Sequence, residues 1–222
     1  QSYKKCQAQF KFRYIDKIYK KDEGVEAFLG KRVHESIEYL YNQVISGVVP
    51  LVDEILKVHR SLWKEKWHDR VAIVYQNKTA RDYFYLGEEC IARFYRQNHP
   101  FKEKVIANEH EMVFLLDNDE NYRIKGIVDR IDHDGDGNWE IHDYKTGKRA
   151  LSQKAADKDQ QLALYQIGLM SEIDNIKSVK LVWHFIQHGI KVESTRTSED
   201  IKKVIAETKS SIDDIREKVK NG

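Results

Sequence analysis

Two stretches near the middle of the chain alternate apolar and polar residues. The first is YRIKGIVDRI (122–131) and the second is WEIHDYK (139–145). A two-residue period is typical of half-buried β-strands, because successive side chains point to opposite faces of a sheet. The residues between them, DHDGDGN, are rich in Asp and Gly and favour a turn. The pattern therefore predicts a β-hairpin.

Elsewhere apolar residues recur every three or four positions, which predicts amphipathic helices. Thr-x-x-Asp sequences at 79–82 and 197–200 are helix-capping signals. The order of elements predicts an α/β fold, with a mixed central sheet flanked by helices and a helical N-terminal half. We predict helices at 25–46, 51–67, 79–98, 159–171 and from the second cap to about 220, and further strands at 105–116, 178–187 and 190–196.

The hairpin carries the candidate chemistry of the chain. Asp143 and Lys145 are two residues apart, so their side chains share one face of the sheet. A turn of odd length, for example one centred on Asp136, places Asp129 directly opposite Asp143. A two-residue turn would slip the register and pair Asp129 with Tyr144 instead. The candidate site therefore requires the odd turn.

Two aspartates at the separation of a cross-strand pair repel each other, and one of them tends to hold a proton. A divalent cation removes this conflict, and oxygen ligands suit Mg²⁺ or Mn²⁺. The metal acidifies a water molecule and polarises a phosphoryl oxygen, while Lys145 orients that water or neutralises growing charge. On spacing alone, a surface hairpin with an Asp143–Lys145 ion pair explains the residues equally well.

A calcium loop is an alternative use of the same stretch. Asp132, Asp134, Asp136, Gly137 and Asp143 occupy positions one, three, five, six and twelve of an EF-hand loop. Such loops connect two helices, whereas strands are predicted on both sides here. A calcium-binding structural domain therefore remains a minority hypothesis.

Composition sets limits without deciding the function. The 222 residues suit one domain, with 41% apolar residues to form its core, and the net charge of +2 does not by itself indicate nucleic-acid binding. No apolar run is long enough for a membrane span and no secretory signal is visible, which predicts a cytoplasmic protein without a membrane partner. Basic residues are grouped locally, at Lys145, Lys148, Arg149, Lys154 and Lys158 and at Lys17, Lys20 and Lys21.

Several residues near the hairpin have ordinary structural explanations. His34 lies beside the apolar stripe of the helix at 25–46, where a packed histidine is more common than a ligand. Arg130 and Asp132 are expected to form a structural ion pair. Glu109 and Glu111, on the strand before the hairpin, either contact the site through water or, more simply, are charges that face solvent.

Five segments, in order along the chain, resemble motifs of the RecB-type nucleases of the PD-(D/E)XK superfamily. They are SYKKCQAQFKFRYI (2–15), GKRVHESIE (30–38), GIVDRID (126–132), DYKTG (143–147) and QLALY (161–165). The resemblance implies a restriction-endonuclease-like fold over residues 1–222. Residues 1–100 would form a mainly helical part with the His motif, and residues 101–222 the sheet core with the metal motifs.

The resemblance also implies roles for individual residues. His34, Asp129 and Asp143 would bind the metal together with the main-chain carbonyl of Tyr144, and Asp129, Asp143 and Lys145 would be catalytic. This chain departs from the family at Val128, where the superfamily's name has proline. The residues implied on the nucleic-acid side of the site are Gln161, Tyr165, Lys148 and Arg149.

The implied activity is a Mg²⁺- or Mn²⁺-dependent deoxyribonuclease. By analogy it would act as an exonuclease on single-stranded DNA ends in DNA repair or recombination, and it would leave a 5′-phosphate. Proteins of this type are often fused to a helicase or bound by one. The alternative from another class is a nucleic-acid-binding accessory domain of a helicase–nuclease complex that does not cut.

Some members of the branch hold an iron–sulfur cluster with one cysteine near the start and three near the end. Cys6 matches the first position, but Cys90 is the only other cysteine. Two thiols cannot supply four ligands, so no iron–sulfur cluster is predicted in the chain as given. The chain begins at Gln1 and stops at Gly222, where the family's terminal cysteines would follow, so the question of a cluster stays open if the chain is an excised fragment.

Overall fold

The computed structural model describes residues 2–19 and 22–221. Helices dominate the N-terminal half, and the strands of the main sheet all follow residue 104. The helices are α1 (Ser2–Lys5), α2 (Gln7–Phe10), a π-helical turn (Lys11–Ile15), α3 (Val25–Ile45), α4 (Val52–Lys66), α5 (Ala80–Asn98), α6 (Gln153–Ala156), α7 (Gln160–Glu172) and α8 (Ser198–Asn221). The strands are β1 (Glu23–Gly24), β2 (Val71–Ala72), β3 (Val105–Leu115), β4 (Arg123–His133), β5 (Asn138–Lys145), β6 (Ser178–Phe185) and β7 (Ile190–Ser194).

The main sheet has five strands in the order β3-β4-β5-β6-β7. The β5–β6 pair is parallel and the other neighbours are antiparallel. Because parallel neighbours need a crossover, the chain leaves β5, passes through α6 and α7, and returns as β6. The expected mixed sheet flanked by helices is therefore confirmed, and the crossover is what brings α7 next to the end of β5.

The register of the β4–β5 hairpin is centred on Asp136, as the odd turn predicts. Ile131 pairs with Ile141, and His133 pairs with Trp139. The ladder ends at the pair of Arg130 and His142, although β5 continues beside β6 as far as Lys145. The two strands therefore separate on the Asp129 side of Arg130, and this fork becomes the centre of the candidate site.

Two hydrophobic clusters form the core. One contains buried side chains of α3, α4 and α5, such as Phe28 and Ile37, and it includes Tyr144 of β5. The other contains side chains of α7 and the main sheet, and it includes Ile141 of the same strand. Alternate residues of β5 therefore serve opposite cores, so the strand fixes the helical half against the sheet half.

Close backbone approach brings α3 to the end of β5. A Cβ atom at Gly30 would lie 2.9 Å from the Thr146 side chain, a separation that real Cβ atoms avoid. A second tight contact, between Gly87 and the His59 ring, packs α5 against α4. Glycine at position 30 thus lets the first turns of α3 sit against β5, one turn before His34.

All helices and strands that the pattern of residues predicts are present, within a few residues of the expected ends. Thr79 with Asp82 and Thr197 with Asp200 form the expected caps. The sequence did not predict α1, α2, α6 or the short parallel pair of β1 and β2. Within residues 2–19 and 22–221, no helix combines the length and apolar character needed to cross a membrane.

Candidate metal centre

His34 projects from α3 towards the fork between β4 and β5. Its Nε2 lies 2.7 Å from the main-chain carbonyl oxygen of Tyr144, to which it donates a hydrogen bond as the Nε2–H tautomer. Its Nδ1 lies 3.7 Å from Oδ2 of Asp129. The imidazole from the distant helix therefore reaches both the carboxylate and the carbonyl that the sequence associates with it.

Asp129 occupies the gap where the two strands separate. Its Oδ2 accepts a hydrogen bond of 2.6 Å from the backbone N–H of Tyr144. The side chain of β4 thus replaces a backbone acceptor in the ladder, which explains why the pairing stops at Arg130. This contact fixes the Asp129 carboxylate next to the end of β5.

Glu109 adjoins this centre, which agrees with the alternative that it contacts the site, and it is also partly exposed. His34, Asp129 and Glu109 each offer a ligand atom, and these atoms lie within 4.8 Å of one another. Glu109 has a φ of 49° in the middle of β3, an unusual left-handed conformation for a residue with a side chain. Its neighbour Glu111 is the solvent-facing charge that was predicted, since it pairs with Lys125 and is 53% exposed.

Burial and neighbouring carboxylates raise the pKa of Glu109 to about 7. After burial, the largest cause is Asp129, followed by Glu38 and Glu35. A pocket of about 320 Å³ opens beside this cluster, and its lining includes His34, Glu35, Glu38 and Glu109. Lys31 also lines the pocket, but it pairs with Glu23, and Glu35 pairs with Arg32 and Lys66. Among the described residues, Glu38 and Glu109 form no ion pair with a lysine or arginine.

Asp143 and Lys145 are on the same face of β5, as predicted. Lys145 Nζ lies 2.8 Å from Oδ1 and 2.7 Å from Oδ2 of Asp143. Gln161, at the start of α7, donates from Nε2 to Asp143 Oδ1 at 3.2 Å and accepts from Lys145 Nζ at 3.3 Å. The crossover helix therefore closes a polar triangle with the carboxylate and the ammonium.

Burial raises the pKa of Asp143 to about 6, and its carboxylate is only 3% exposed. The Lys145 ammonium opposes that rise, while the charge of Asp129 adds to it. Asp143 is not one of the three side chains within 4.8 Å of each other, yet it senses Asp129 and His34 electrostatically. It lies at the border between the metal-ligand group and Lys145.

Tyr165 extends the same face of α7 by one turn. Gln161 Nε2 donates to its hydroxyl at 3.2 Å. Its ring packs directly on Gly126, where a Cβ atom would come within 2.6 Å of Cε1. Glycine at this position of β4 therefore leaves room for the ring, and the predicted Gln161–Tyr165 pair shares one surface with Asp143.

The residues fit a hard divalent cation. Carboxylates and a main-chain carbonyl are the donors that Mg²⁺ and Mn²⁺ prefer, and one imidazole is compatible with Mn²⁺. Burial first, and then the charge of Asp129, raises the pKa of both Glu109 and Asp143, and a bound cation would oppose both effects. His34, Asp129, Glu109, Asp143 and the Tyr144 carbonyl are the groups available to hold one.

Lys148 and Arg149 follow β5 on an exposed loop. The Lys148 ammonium lies 4.0 Å from the centre of the Tyr75 ring and 3.9 Å from Glu26. Lys148 is thus close in sequence to Lys145 but contacts another part of the surface. Of the second basic group in the sequence, Lys17 is exposed, whereas Lys20 and Lys21 lie outside the described residues.

The turn is not a calcium loop. Strands flank it on both sides. Asp134 accepts hydrogen bonds from the backbone of Asp136 and Asn138 and from the Asn138 amide, so its carboxylate holds the turn itself together. Asp132 is buried and paired with Arg130, 3.0 Å away, as the structural ion pair that was expected. The calcium-binding structural domain is therefore not supported by the geometry.

A second acidic group is already neutralised by protein cations. Asp132, Glu140 and His142 have ligand atoms within 4.8 Å of one another. However, Arg130 pairs with Asp132, and Lys180 lies 2.7 Å from Glu140. Burial and Arg130 hold the pKa of His142 well below its usual range, so this imidazole is neutral. We interpret this group as a structural network behind the candidate metal centre.

Comparison with protein-family models gives a match over residues 1–222 to the model described as the PD-(D/E)XK nuclease superfamily. Comparison with curated proteins gives no match. The family match covers the fork, α3 and α7 alike, so it includes every residue of the candidate centre.

Proposed function

The chain belongs to the PD-(D/E)XK nuclease superfamily, a family of metal-dependent nucleases, and from that premise we propose that it is a Mg²⁺- or Mn²⁺-dependent deoxyribonuclease of the RecB-type branch. Its proposed substrate is DNA with single-stranded ends, cut as an exonuclease in repair or recombination, with a helicase as partner or fusion. The proposed unit is one domain over residues 1–222.

One observation carries the proposal. The fork between β4 and β5 gathers His34, Asp129 and Glu109 within ligand distance of each other, and Asp143 with its Lys145 partner adjoins them. These residues come from α3, β3, β4 and β5, so their meeting depends on the whole fold rather than on one local motif. A surface ion pair would not require an imidazole from a distant helix beside the carboxylates.

Each group has a proposed role in hydrolysis. A bound divalent cation supplies Lewis acidity to the scissile phosphate and lowers the pKa of a water molecule. The groups that would hold that cation are His34, Asp129, Asp143, Glu109 and the Tyr144 carbonyl. Lys145 keeps an ammonium at the edge of the carboxylate group, where it orients the attacking water and balances negative charge that grows on the phosphate.

The α7 side of the centre is the proposed nucleic-acid side. Gln161 is fixed by contacts with both Asp143 and Lys145, and its amide is only partly buried. The Tyr165 ring lies beside it on Gly126. Lys148 and Arg149, on the exposed loop after β5, are proposed to contact the phosphate backbone, which binds lysine and arginine without regard to sequence.

Glu109→Gln is expected to weaken Mn²⁺ binding by about 10- to 100-fold, because it removes one of three side chains grouped at the fork. Glu111→Gln is the matched control. It makes the same change two residues away on β3, at a solvent-facing side chain, and it should leave Mn²⁺ affinity unchanged. Isothermal titration calorimetry on both variants measures the difference. Equal affinity in the two variants would remove Glu109 from the ligand set.

The activity itself is tested with end-labelled single-stranded DNA in Mg²⁺, Mn²⁺, Ca²⁺ or EDTA. We expect cutting in Mg²⁺ or Mn²⁺, no cutting in EDTA, and recovery when Mn²⁺ is added back. A Lys145→Ala protein purified in parallel shows whether a contaminating nuclease is responsible. Matched RNA and duplex DNA substrates test the preference for single-stranded DNA.

Two results would contradict the proposal. Binding of single-stranded DNA without cutting under any metal would favour the non-cleaving accessory module. Cutting that persists in EDTA would show that the hydrolysis does not depend on a removable divalent cation at the fork.

A further inference from the structure

Residues 2–19 contain a segment whose apolar side chains remain largely exposed. Every residue from 11 to 19 is exposed, although this stretch, KFRYIDKIY, has five large hydrophobic residues. Phe12 is 54% exposed, Tyr14 is 48% exposed and Tyr19 is 67% exposed. An amphipathic segment usually packs one face on the core. These aromatic rings are instead available to an outside partner.

Basic side chains alternate with these rings. Lys5, Arg13 and Lys17 are exposed, and within the described part of the chain none of them forms an ion pair with a carboxylate. Arg13 lies 5.5 Å from the Tyr14 ring. Lys11 differs from the other three because it pairs with Asp16 at 2.9 Å. The segment therefore presents three rings and three unneutralised cations on one short stretch.

The positive charge of the protein is concentrated here. Residues 2–19 contain five Lys or Arg and one Asp, a formal charge of +4, whereas the whole chain has a formal net charge of +2. The remaining residues together are thus net negative. A polyanion would be attracted to this segment in preference to the rest of the surface.

The residues that precede these rings contact the start of α7 and the C-terminal part of α8. Lys4 Nζ donates to Oε1 of Gln160 at 3.1 Å. Gln160 precedes Gln161, whose amide contacts Asp143. Tyr3 of α1 donates a hydrogen bond to Asp214 of α8, and Lys218 of α8 donates to the same carboxylate. Gln160 also donates to Glu207 of α8, so the segment that leads to the rings is held where α7 begins beside α8.

We propose that Phe12, Tyr14 and Tyr19 form a stacking platform for unpaired bases, with Lys5, Arg13 and Lys17 holding the phosphates of the same strand. We call these six residues the N-terminal platform. Bases of any identity stack on exposed aromatic rings, and lysine and arginine follow the backbone of a single strand. A protein partner of this surface would not need cations between successive rings. The proposal rests on the proposed function and deepens it, because it names the residues that would hold the single strand outside the metal centre.

The platform is tested by fluorescence anisotropy with a labelled oligo-dT of about 20 nucleotides in EDTA, where no cutting is expected. The double variant Phe12→Ala, Tyr14→Ala should bind roughly 10- to 100-fold more weakly, because each lost stack weakens binding several-fold or more. Its salt dependence should not change. The preference for the single strand over a blunt duplex of the same length should shrink.

The triple variant Lys5→Gln, Arg13→Gln, Lys17→Gln should act differently. Each lost phosphate contact lowers the slope of log affinity against log salt by about 0.7 for single strands, so the slope should fall by about 2. The matched control is Arg81→Gln, Tyr85→Ala on α5, where an exposed ring that is 45% accessible lies 5.4 Å from a guanidinium. This control should bind like the wild type.

If both platform variants bind oligo-dT as tightly as the control does, the proposal is overturned. The segment would then be a surface for a protein partner. Circular dichroism confirms that the variants are folded, which their full exposure leads us to expect. Loss of binding in the platform variants together with a wild type that cuts under no metal would instead overturn the nuclease activity and retain the platform.

Discussion

Replacing Lys145 with alanine is expected to lower kcat about 100- to 10,000-fold, the usual effect of removing a positioned acid–base or electrostatic group. The ammonium lies 2.7 Å from Asp143 and contacts Gln161, so it is fixed where charge would grow during hydrolysis. Binding of Mn²⁺ should stay as tight or become tighter, because a positive charge beside the ligands is gone. Single-turnover kinetics and calorimetry measure the two quantities separately.

Lys177→Ala is the control for this prediction. Lys177 is exposed and lies next to the Ser178–Asn138 pair, at the opposite end of the β5–β6 ladder from Lys145. Its removal should change neither kcat nor Mn²⁺ affinity. If Lys145→Ala retains a kcat within tenfold of the wild type, Lys145 has no role in the chemistry. If Lys145→Ala loses Mn²⁺ affinity as well as activity, its role is to support the ligands.

Arg130→Met is expected to lower the free energy of unfolding by about 3–5 kcal/mol, because it leaves a buried charge without its partner. Arg130 is 1% exposed and Asp132 is 6% exposed, and they are 3.0 Å apart. The guanidinium also lies 4.2 Å from the Tyr41 ring. Burial raises the pKa of Asp132, and Arg130 opposes that rise, so the variant must bury a bare carboxylate or protonate it. Urea unfolding followed by circular dichroism measures the change.

Two further variants show whether the unpaired charge is the cause. The double variant Arg130→Met, Asp132→Leu should be more stable than Arg130→Met alone, because no ion then remains in the core. Lys180→Met breaks the more exposed pair with Glu140, whose side chains are 41% and 32% exposed, and it should cost about 1 kcal/mol or less. A double variant no more stable than the single one would assign the loss to packing against Tyr41.

The predictions that succeeded rest on local rules. The period of two and the Asp/Gly-rich turn were sufficient for the hairpin and its register, because the side chains of a strand alternate strictly between faces. That register decided whether Asp129 and Asp143 could share a site. The caps at Thr79 and Thr197 depend only on residues three positions apart, so the sequence shows them directly.

The structural features that the sequence did not predict depend on long-range contacts or on irregular backbone geometry. Glu109 reaches the fork because the backbone of β3 adopts a left-handed φ there, and no residue in the sequence marks that irregularity. Glycine or asparagine would have been the usual signal. The approach of His34 to Tyr144 spans 110 residues, so periodicity could predict the helix but not its neighbour. The resemblance to a known family supplied that pairing.

The pattern also gave little indication of the N-terminal helices. Residues 2–15 mix apolar and basic residues without a clean helical stripe, because this stretch does not bury a face against the protein. The short parallel pair at Glu23 and Val71 is too brief for any periodicity to show. In both places, contacts made elsewhere in the fold decide the local structure.

The division of the centre between α3 and the sheet has a consequence for the life of the protein in the cell. His34 lies on α3 and Asp129 lies on β4. An ion bound between them would therefore link the helical half of the protein to the main sheet. A ligand that binds only the native state raises the free energy of unfolding. The increase is about 2.7 kcal/mol when the free ligand concentration is a hundred times the dissociation constant. On the proposed function, the protein without its ion would therefore be both inactive and more easily unfolded and cut by proteases.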